Sequence, residues 1–244
     1  REIDVAARVH NMGPILDYRR ELEKLENLDR DATPVMADVG NQVVVARVPS
    51  FLVDVREMDE VLRRARGKQS LIIDLRGNGG GAVEALEALV GGLFPGDVTI
   101  AFTQERTKKS AMIARGSEGH AYPGRVFVLV DSRSASGSEL LARTMQLTDR
   151  GTVIGDTTAG AVMEARFAVL PVSGRPVHFG VEVTVADVIM PDGQRLERVG
   201  VTPDFIVLPT AQDLSAGRDP VLDKALSFAS TPIAGGVISA VKPN

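Results

Sequence analysis

Two short, nearly continuous apolar segments constrain the fold of this chain more than any other feature. Residues 70–75 (Ser-Leu-Ile-Ile-Asp-Leu) and 125–131 (Arg-Val-Phe-Val-Leu-Val-Asp) have the pattern of strands that are buried on both faces. Helical patterns lie around and between them, at residues 54–66, 82–93 and 135–149. Strands that alternate with helices in this way predict an α/β fold with a largely parallel sheet.

The other patterns divide the chain into three parts. Residues 1–40 are predicted to form an N-terminal helical segment, because residues 11–30 carry leucines spaced for one apolar face. Residues 41–230 form the predicted core, and residues 231–244 form a C-terminal tail. Within the core, further strands are predicted at 42–48, 98–102 and 152–154, strand-like alternation at 165–188, and a last helix at 219–228.

Composition and charge exclude several classes of function. A chain of 244 residues can bury one large core, and its net charge of −4, without a block of like charge, gives no nucleic-acid-binding or basic membrane-binding surface. The absence of cysteine excludes disulfides and thiolate metal sites, and no apolar stretch reaches the roughly 18 residues of a membrane span. No acidic cluster has metal-ligand spacing, so we expect neither metal nor cofactor. The chain starts at Arg1 without an initiator methionine or a signal peptide, so we expect upstream residues.

A glycine-rich loop, residues 77–81 (Gly-Asn-Gly-Gly-Gly), follows the first apolar segment and precedes a helix. Glycines let the backbone approach a ligand closely, and amides at a helix start favour an anion, either a phosphate or the oxyanion of a tetrahedral intermediate. The residues Gly77, Gly79 and Ala82 also fit a dinucleotide-binding pattern. That interpretation is disfavoured because no acidic residue ends the next strand about 20 positions later. A tight turn that binds nothing is the remaining alternative.

A serine-rich turn follows the second apolar segment, with Ser136 where the strand passes into the next helix. A serine at such a turn has an exposed hydroxyl, and the next amide, that of Gly137, lies at a helix N-terminus. Acyl transfer needs both a nucleophile and a donor to the developing negative charge. The alternative is simple helix capping, because Ser136 and Glu139 have capping-box spacing.

Four motifs occur together and in a fixed order along the chain. They are residues 74–81 (Asp-Leu-Arg-Gly-Asn-Gly-Gly-Gly), 134–139 (Ser-Ala-Ser-Gly-Ser-Glu), 155–160 (Gly-Asp-Thr-Thr-Ala-Gly) and 197–204 (Glu-Arg-Val-Gly-Val-Thr-Pro-Asp). Together they resemble the serine peptidase family that contains the C-terminal processing proteases, the tricorn core and the interphotoreceptor retinoid-binding modules. The resemblance covers residues 41–228 and implies a ClpP/crotonase-like α/β core. It also implies that Ser136 is the nucleophile and that the amides of Gly137 and Gly80 are the oxyanion donors. Gly79 is the second choice for the donor from the glycine loop.

The resemblance leaves the general base open. In the C-terminal processing branch a lysine follows the serine by 25 residues, and the matching residue here is Ala161, so that Ser–Lys pair is excluded. The tricorn-like branch uses Ser, His and Glu, and Glu197 matches its glutamate. The chain has three histidines, none in the family's context, so the catalytic histidine is expected in an upstream module or the site is degenerate. These histidines are His10, His120 and His178.

The resemblance therefore implies a serine endopeptidase core, closer to the tricorn-like branch, that acts on a protein or peptide substrate. A degenerate module of the same fold that binds peptides or apolar ligands is the alternative, and a crotonase-type acyl-thioester enzyme explains less of the sequence. An upstream PDZ or helical module and an oligomer are both compatible with the resemblance. Relatives of this type are commonly exported, so the expected location is periplasmic or secreted, with the cytoplasm as the alternative.

Overall fold

A computed structural model of the chain describes residues 32–171 and 178–230. The helix predicted at residues 11–30 and the tail at 231–244 lie outside these described residues. The strands are β1 Val35–Val39, β2 Val43–Arg47, β3 Ser70–Asp74, β4 Val98–Gln104, β5 Lys109–Ala114, β6 Arg125–Val130, β7 Gly151–Gly155, β8 Met163–Pro171, β9 His178–Ile189 and β10 Phe205–Ile206. The helices are α1 Val55–Ala65, α2 Val83–Gly91, α3 Gly137–Leu147, α4 Ala211–Ser215 and α5 Pro220–Ala229.

The described strands form one large, mostly parallel sheet and one smaller antiparallel sheet. The large sheet has the order β1-β2-β3-β6-β7-β10, and every pairing from β2 to β10 is parallel. The smaller sheet has the order β5-β4-β9-β8 and is antiparallel throughout. The predicted α/β fold with a mostly parallel sheet is therefore confirmed. None of the helices in the described ranges is long and apolar enough to cross a membrane.

The two apolar segments became the central strands β3 and β6, and each contributes side chains to two separate cores. In β6, Val126, Val128 and Val130 pack into the core under α1, α2 and α3. Phe127 and Leu129, which alternate with them, pack on the opposite face against α5. Side chains of a strand alternate between faces, so a strand covered on both sides needs an unbroken apolar sequence. This explains why these two strands were predictable from sequence.

The first helix, α1, also follows its sequence signals. The side chain of Asp54 accepts a hydrogen bond from the Arg56 amide at 2.9 Å and so caps the helix. Gly67 follows the helix with φ of 78°, the left-handed conformation that glycine adopts without steric cost. The apolar face buries Met58, Val61 and Leu62 in the main core.

Three strands of the structure, β1, β5 and β10, were not predicted. β1 pairs antiparallel with β2, so the sheet begins at Val35, ahead of residue 41 where we placed the start of the core. β5 forms an antiparallel hairpin with β4. The strand β4 itself ends at Gln104, two residues beyond the predicted end at residue 102. All three strands lie at sheet edges and are partly or fully exposed, so none has the continuous apolar pattern that marks a buried strand.

An arginine at the end of β3 joins the large sheet to α5. The Arg76 guanidinium donates to Asp74 and to Asp219, with bidentate contacts of 2.8 Å to each carboxylate. The carboxylate of Asp219 also accepts from the Leu222 amide at 3.0 Å and caps α5. Partial burial alone would raise the pKa of Asp219, but the hydrogen bonds from Arg76 and Leu222 outweigh it and lower the pKa below its usual value.

We expect Asp219→Asn to lower the free energy of unfolding at neutral pH. In acid, the difference between the variant and the wild type is expected to be smaller. Because the pKa of Asp219 is lowered by folding, its charge stabilises the folded state above the ordinary aspartate pKa, and this contribution is lost as the pH falls below about 4. The side chain is 38% exposed, so solvent screening limits the loss at pH 7 to about 1 kcal/mol or less. Urea unfolding at pH 7 and pH 3 measures both values. Asparagine keeps the helix cap, so an equal loss at both pH values would contradict an ionic contribution.

Candidate active site

Four loops that carry the predicted motifs meet at one edge of the large sheet. The strands β3, β6 and β7 are parallel neighbours, so the segments that leave their carboxyl ends emerge side by side. These segments are the glycine loop, the turn that contains Ser136, and residues 156–162. The turn at residues 197–201 joins them through hydrogen bonds to residues 158 and 160.

Ser136 lies in a strained backbone conformation at the turn from β6 to α3. Its φ of 53° and ψ of −116° lie outside the regions that L-residues commonly adopt. A helix N-cap normally has an extended backbone, so capping alone does not account for this conformation. A sharp, strained strand-to-helix turn is the geometry in which a nucleophilic serine projects its hydroxyl at the edge of a sheet.

The capping interaction between Ser136 and Glu139 is nevertheless present in part. The Glu139 carboxylate accepts a hydrogen bond from the Ser136 amide at 3.0 Å, and α3 begins at Gly137. The same amide lies 3.0 Å from the carbonyl oxygen of Ala161. The turn therefore combines a helix-capping contact with a strained residue, and the two sequence interpretations do not exclude each other.

The glycine loop packs directly against Ser136. A Cβ atom built on Gly80 would lie 2.7 Å from the Ser136 Cβ and 3.1 Å from the Gly137 nitrogen, so only glycine fits at this contact. Gly80 also has a φ of 99°, which disfavours any other residue. The sequence-predicted residues Ser136, Gly137 and Gly80 are thus in contact in the structure.

The backbone amides of these residues differ in their hydrogen bonds. The Gly80 amide donates to Oδ1 of Asn78 at 2.7 Å. Within the described residues, the amides of Gly79 and Gly137 have no acceptor. A free amide at a helix N-terminus can bind a negatively charged oxygen. The structure therefore leaves Gly137 available, and of the two loop amides it leaves Gly79, not the predicted Gly80, without a partner.

Asn78, which sequence reasoning did not single out, connects the glycine loop to the serine turn. Its buried side chain donates to the Val48 carbonyl at 2.9 Å. Its own carbonyl accepts from the Ala135 amide at 2.9 Å and from the Ser138 hydroxyl at 3.0 Å. Each of these contacts joins residues far apart in sequence, so no local pattern predicts this role. The only local feature that could have drawn attention to Asn78 is its position between two glycines.

Asp131 accepts hydrogen bonds from both the glycine loop and the serine turn. One carboxylate oxygen accepts from the Gly77 amide at 2.9 Å and from the Arg133 amide at 3.1 Å. Burial alone would raise the pKa of Asp131, but these bonds and the Arg133 guanidinium outweigh it and lower the pKa. The carboxylate is therefore ionised at neutral pH and ties the glycine loop to the turn.

Glu197 lies beside the segment that contacts Ser136. Its carboxylate accepts from the Val162 amide at 2.8 Å, and the neighbouring Ala161 carbonyl accepts from the Ser136 amide at 3.0 Å. The next residue, Arg198, has a φ of 61° and donates its amide to the Gly160 carbonyl at 2.7 Å. Only a short stretch of backbone thus separates the half-buried Glu197 carboxylate from the serine.

Among the described residues, neither a lysine nor a histidine fills the position of a general base beside Ser136. Ala161 has an exposed side chain at the position where the C-terminal processing branch has lysine. His120 is exposed before the start of β6, with Nδ1 3.2 Å from the Glu118 carbonyl, whereas Ser136 follows the end of that strand, roughly 20 Å away along it. His10 and the side chain of His178 lie outside the described part of the structure.

Comparisons with known proteins agree with this arrangement. The model of peptidase family S41 matches residues 42–207. The chain is 34% identical over 125 residues to the tail-specific protease of Haemophilus influenzae, covering 50% of this chain and 18% of that protein. It is 29% identical over 182 residues to a carboxyl-terminal-processing protease of Synechocystis sp., covering 72% of this chain and 40% of that protein.

The fold is also similar to solved structures. The photosystem II D1 C-terminal processing protease superposes with a TM-score of 0.56 and 22% identity, over 72% of this chain and 48% of that chain. This chain thus spans less than half the length of the curated relatives named above. The matched residues contain the strands β2 to β10, the glycine loop, Ser136 and Glu197. The chain therefore belongs to peptidase family S41.

Proposed function

We propose that this chain is the core of a serine endopeptidase that cleaves peptide bonds through an acyl-enzyme on Ser136. The observation that carries the proposal is the strained conformation of Ser136, with φ of 53°, in contact with Gly80. The next amide, that of Gly137, has no acceptor among the residues that the structure describes. A nucleophile held against unpaired backbone donors is what acyl transfer requires.

In this proposal the Ser136 hydroxyl oxygen attacks the carbonyl carbon of the substrate while its proton passes to a general base. The oxygen of the tetrahedral intermediate accepts hydrogen bonds from the Gly137 amide and from the Gly79–Gly80 stretch of the loop. The C–N bond then breaks, and the base returns the proton to the leaving amine. Water then attacks the carbonyl carbon of the acyl-enzyme while the base takes a proton from it. The ester bond to Ser136 breaks, the base returns the proton to the serine oxygen, and the carboxylic acid product leaves.

We further propose that the base is a histidine from outside the described residues, oriented by Glu197, as in the tricorn-like branch. The support is the Glu197 carboxylate, which a 2.8 Å bond from Val162 holds beside the segment contacting Ser136. Ala161 gives no base at the alternative position. An upstream PDZ or helical module, and an oligomer that completes the site, are compatible with this proposal. An extracytoplasmic location also remains a proposal, which fractionation of the source cells would test.

We expect a fluorophosphonate probe to label the wild-type protein and not Ser136→Ala. The serine oxygen bonds to phosphorus, the P–F bond breaks, fluoride leaves and the hydroxyl proton goes to the base, so labelling needs an activated nucleophile. Loss of the hydroxyl is expected to lower labelling by about 1000-fold or more. The matched control is Ser132→Ala, because Ser132 is an exposed serine of the same turn and should label like the wild type. Gel fluorescence and intact mass spectrometry measure the adduct.

The outcomes separate the competing functions. Equal labelling of Ser136→Ala and wild type would refute Ser136 as the nucleophile. No labelling of any variant, in the full-length protein as well, would favour the noncatalytic module that binds peptides or apolar ligands. Recovery of a bound apolar ligand would then support that second function.

A further inference from the structure

Glu139 is a fully buried carboxylate, and the proposed reaction does not use it. It is 0% exposed, and no arginine or lysine of the described residues forms an ion pair with it. A buried charge of this kind is costly unless hydrogen bonds compensate it. The compensation comes entirely from groups of the candidate site, so the charge is tied to the geometry of that site.

The four donors to Glu139 belong to two segments of the site. One oxygen accepts from the Thr158 hydroxyl at 2.6 Å and from the Gly160 amide at 2.8 Å. The other accepts from the Ala161 amide at 3.0 Å and from the Ser136 amide at 3.0 Å. One carboxylate therefore holds the strained serine and the loop after β7 in a single arrangement.

Thr158 extends this arrangement to the turn that carries Glu197. Its hydroxyl donates to Glu139 and accepts from the Val201 amide at 2.6 Å. The Thr158 amide in turn donates to the Val201 carbonyl at 3.1 Å. Of the three described residues other than glycine with positive φ, two, Ser136 and Arg198, lie in the segments connected here. Strain of this kind persists only where the surroundings hold it in place.

We propose that Glu139 and Thr158 are positioning residues that fix the register between Ser136 and Glu197. The chain of contacts runs from the Ser136 amide through the Glu139 carboxylate and the Thr158 hydroxyl to Val201, in the same turn as Glu197. The Thr158 hydroxyl is the member of this series of contacts that both donates and accepts, so its removal breaks the side-chain link between Glu139 and Val201. The backbone bonds from Thr158 to Val201 and from Arg198 to Gly160 remain, so the two segments stay together but lose the contact that fixes their register. The inference rests on the proposed function and assigns a role to residues that do not touch the substrate.

The test compares Thr158→Val with Thr158→Ser in the full chain. Valine has nearly the shape of threonine without the hydroxyl, whereas serine keeps the hydroxyl without the methyl group. We expect Thr158→Val to lower the second-order rate constant of fluorophosphonate labelling by at least about tenfold, because a misplacement of about 1 Å is enough for such an effect. Thr158→Ser is expected to stay within about threefold of the wild type.

The rates are measured at a temperature where circular dichroism shows every variant fully folded, so a change in global stability cannot produce the result. The double variant Glu139→Gln/Thr158→Val should label at about the same rate as Glu139→Gln alone, because both substitutions break the same series of contacts. Wild-type labelling by a folded Thr158→Val protein, or an equal loss in Thr158→Ser, would overturn the inference. Failure of the wild type itself to label would instead contradict the proposed function.

Discussion

Gly80→Ala is expected to abolish labelling of Ser136 by a fluorophosphonate, with a loss of about 100-fold or more. An alanine Cβ at this position would lie 2.7 Å from the Ser136 Cβ, 3.1 Å from the Ala135 carbonyl oxygen and 3.1 Å from the Gly137 nitrogen. The clash involves backbone atoms of the serine turn, so no side-chain rotation relieves it. The φ of 99° adds backbone strain for any residue with a side chain.

The matched control for this prediction is Gly96→Ala, an exposed glycine before β4 and outside the site. A Cβ on Gly96 meets no atom within 4 Å, and its φ is not in the left-handed region. The site keeps all its contacts, so labelling should stay within a few-fold of the wild type. Comparable losses in both variants would mean that the contact between Gly80 and Ser136 does not decide the activity. The labelling rates and the thermal midpoints of both variants are the measurements.

Glu139→Ala is expected to be among the most destabilising single substitutions in the described core. Removal of the carboxylate leaves two buried donors, the Thr158 hydroxyl and the Gly160 amide, without this acceptor, and each unsatisfied buried group costs about 1–3 kcal/mol unless water replaces the partner. The part-buried Ala161 amide loses the same acceptor, whereas the Ser136 amide keeps the Ala161 carbonyl. We expect a loss of about 3 kcal/mol or more in the free energy of unfolding. The urea midpoint, at an unchanged dependence on urea concentration, gives this value.

Glu84→Ala provides the comparison for the buried glutamate. Glu84 lies in the first turn of α2, as Glu139 lies in the first turn of α3, but it is exposed to solvent. Its replacement should change the free energy of unfolding by about 0.5 kcal/mol or less. If Glu139→Ala cost less than about 1 kcal/mol, the four hydrogen bonds would not stabilise the fold as their geometry indicates.

Much of the framework followed from sequence because its signals are local. The strands β3 and β6 were recognisable since both faces are buried, and α1 was recognisable from its spacing, its Asp54 cap and Gly67. The edge strands β1 and β5 were missed because partial exposure removes the apolar pattern. The antiparallel pairing of β4 with β9 joins residues more than 80 positions apart, which no local pattern encodes.

The sequence by itself determined that a serine follows one buried strand and that a glycine loop follows its neighbour, and the ordered motifs identified both. Only the tertiary structure decided how their groups are connected. The Gly80 amide is already bonded to Asn78, and Glu139, which in sequence has the spacing of a capping residue, accepts hydrogen bonds from residues as far away as Ala161. The physical reason is that a buried polar group takes its partners from whatever the fold brings within 3 Å, and that depends on packing, not on sequence spacing.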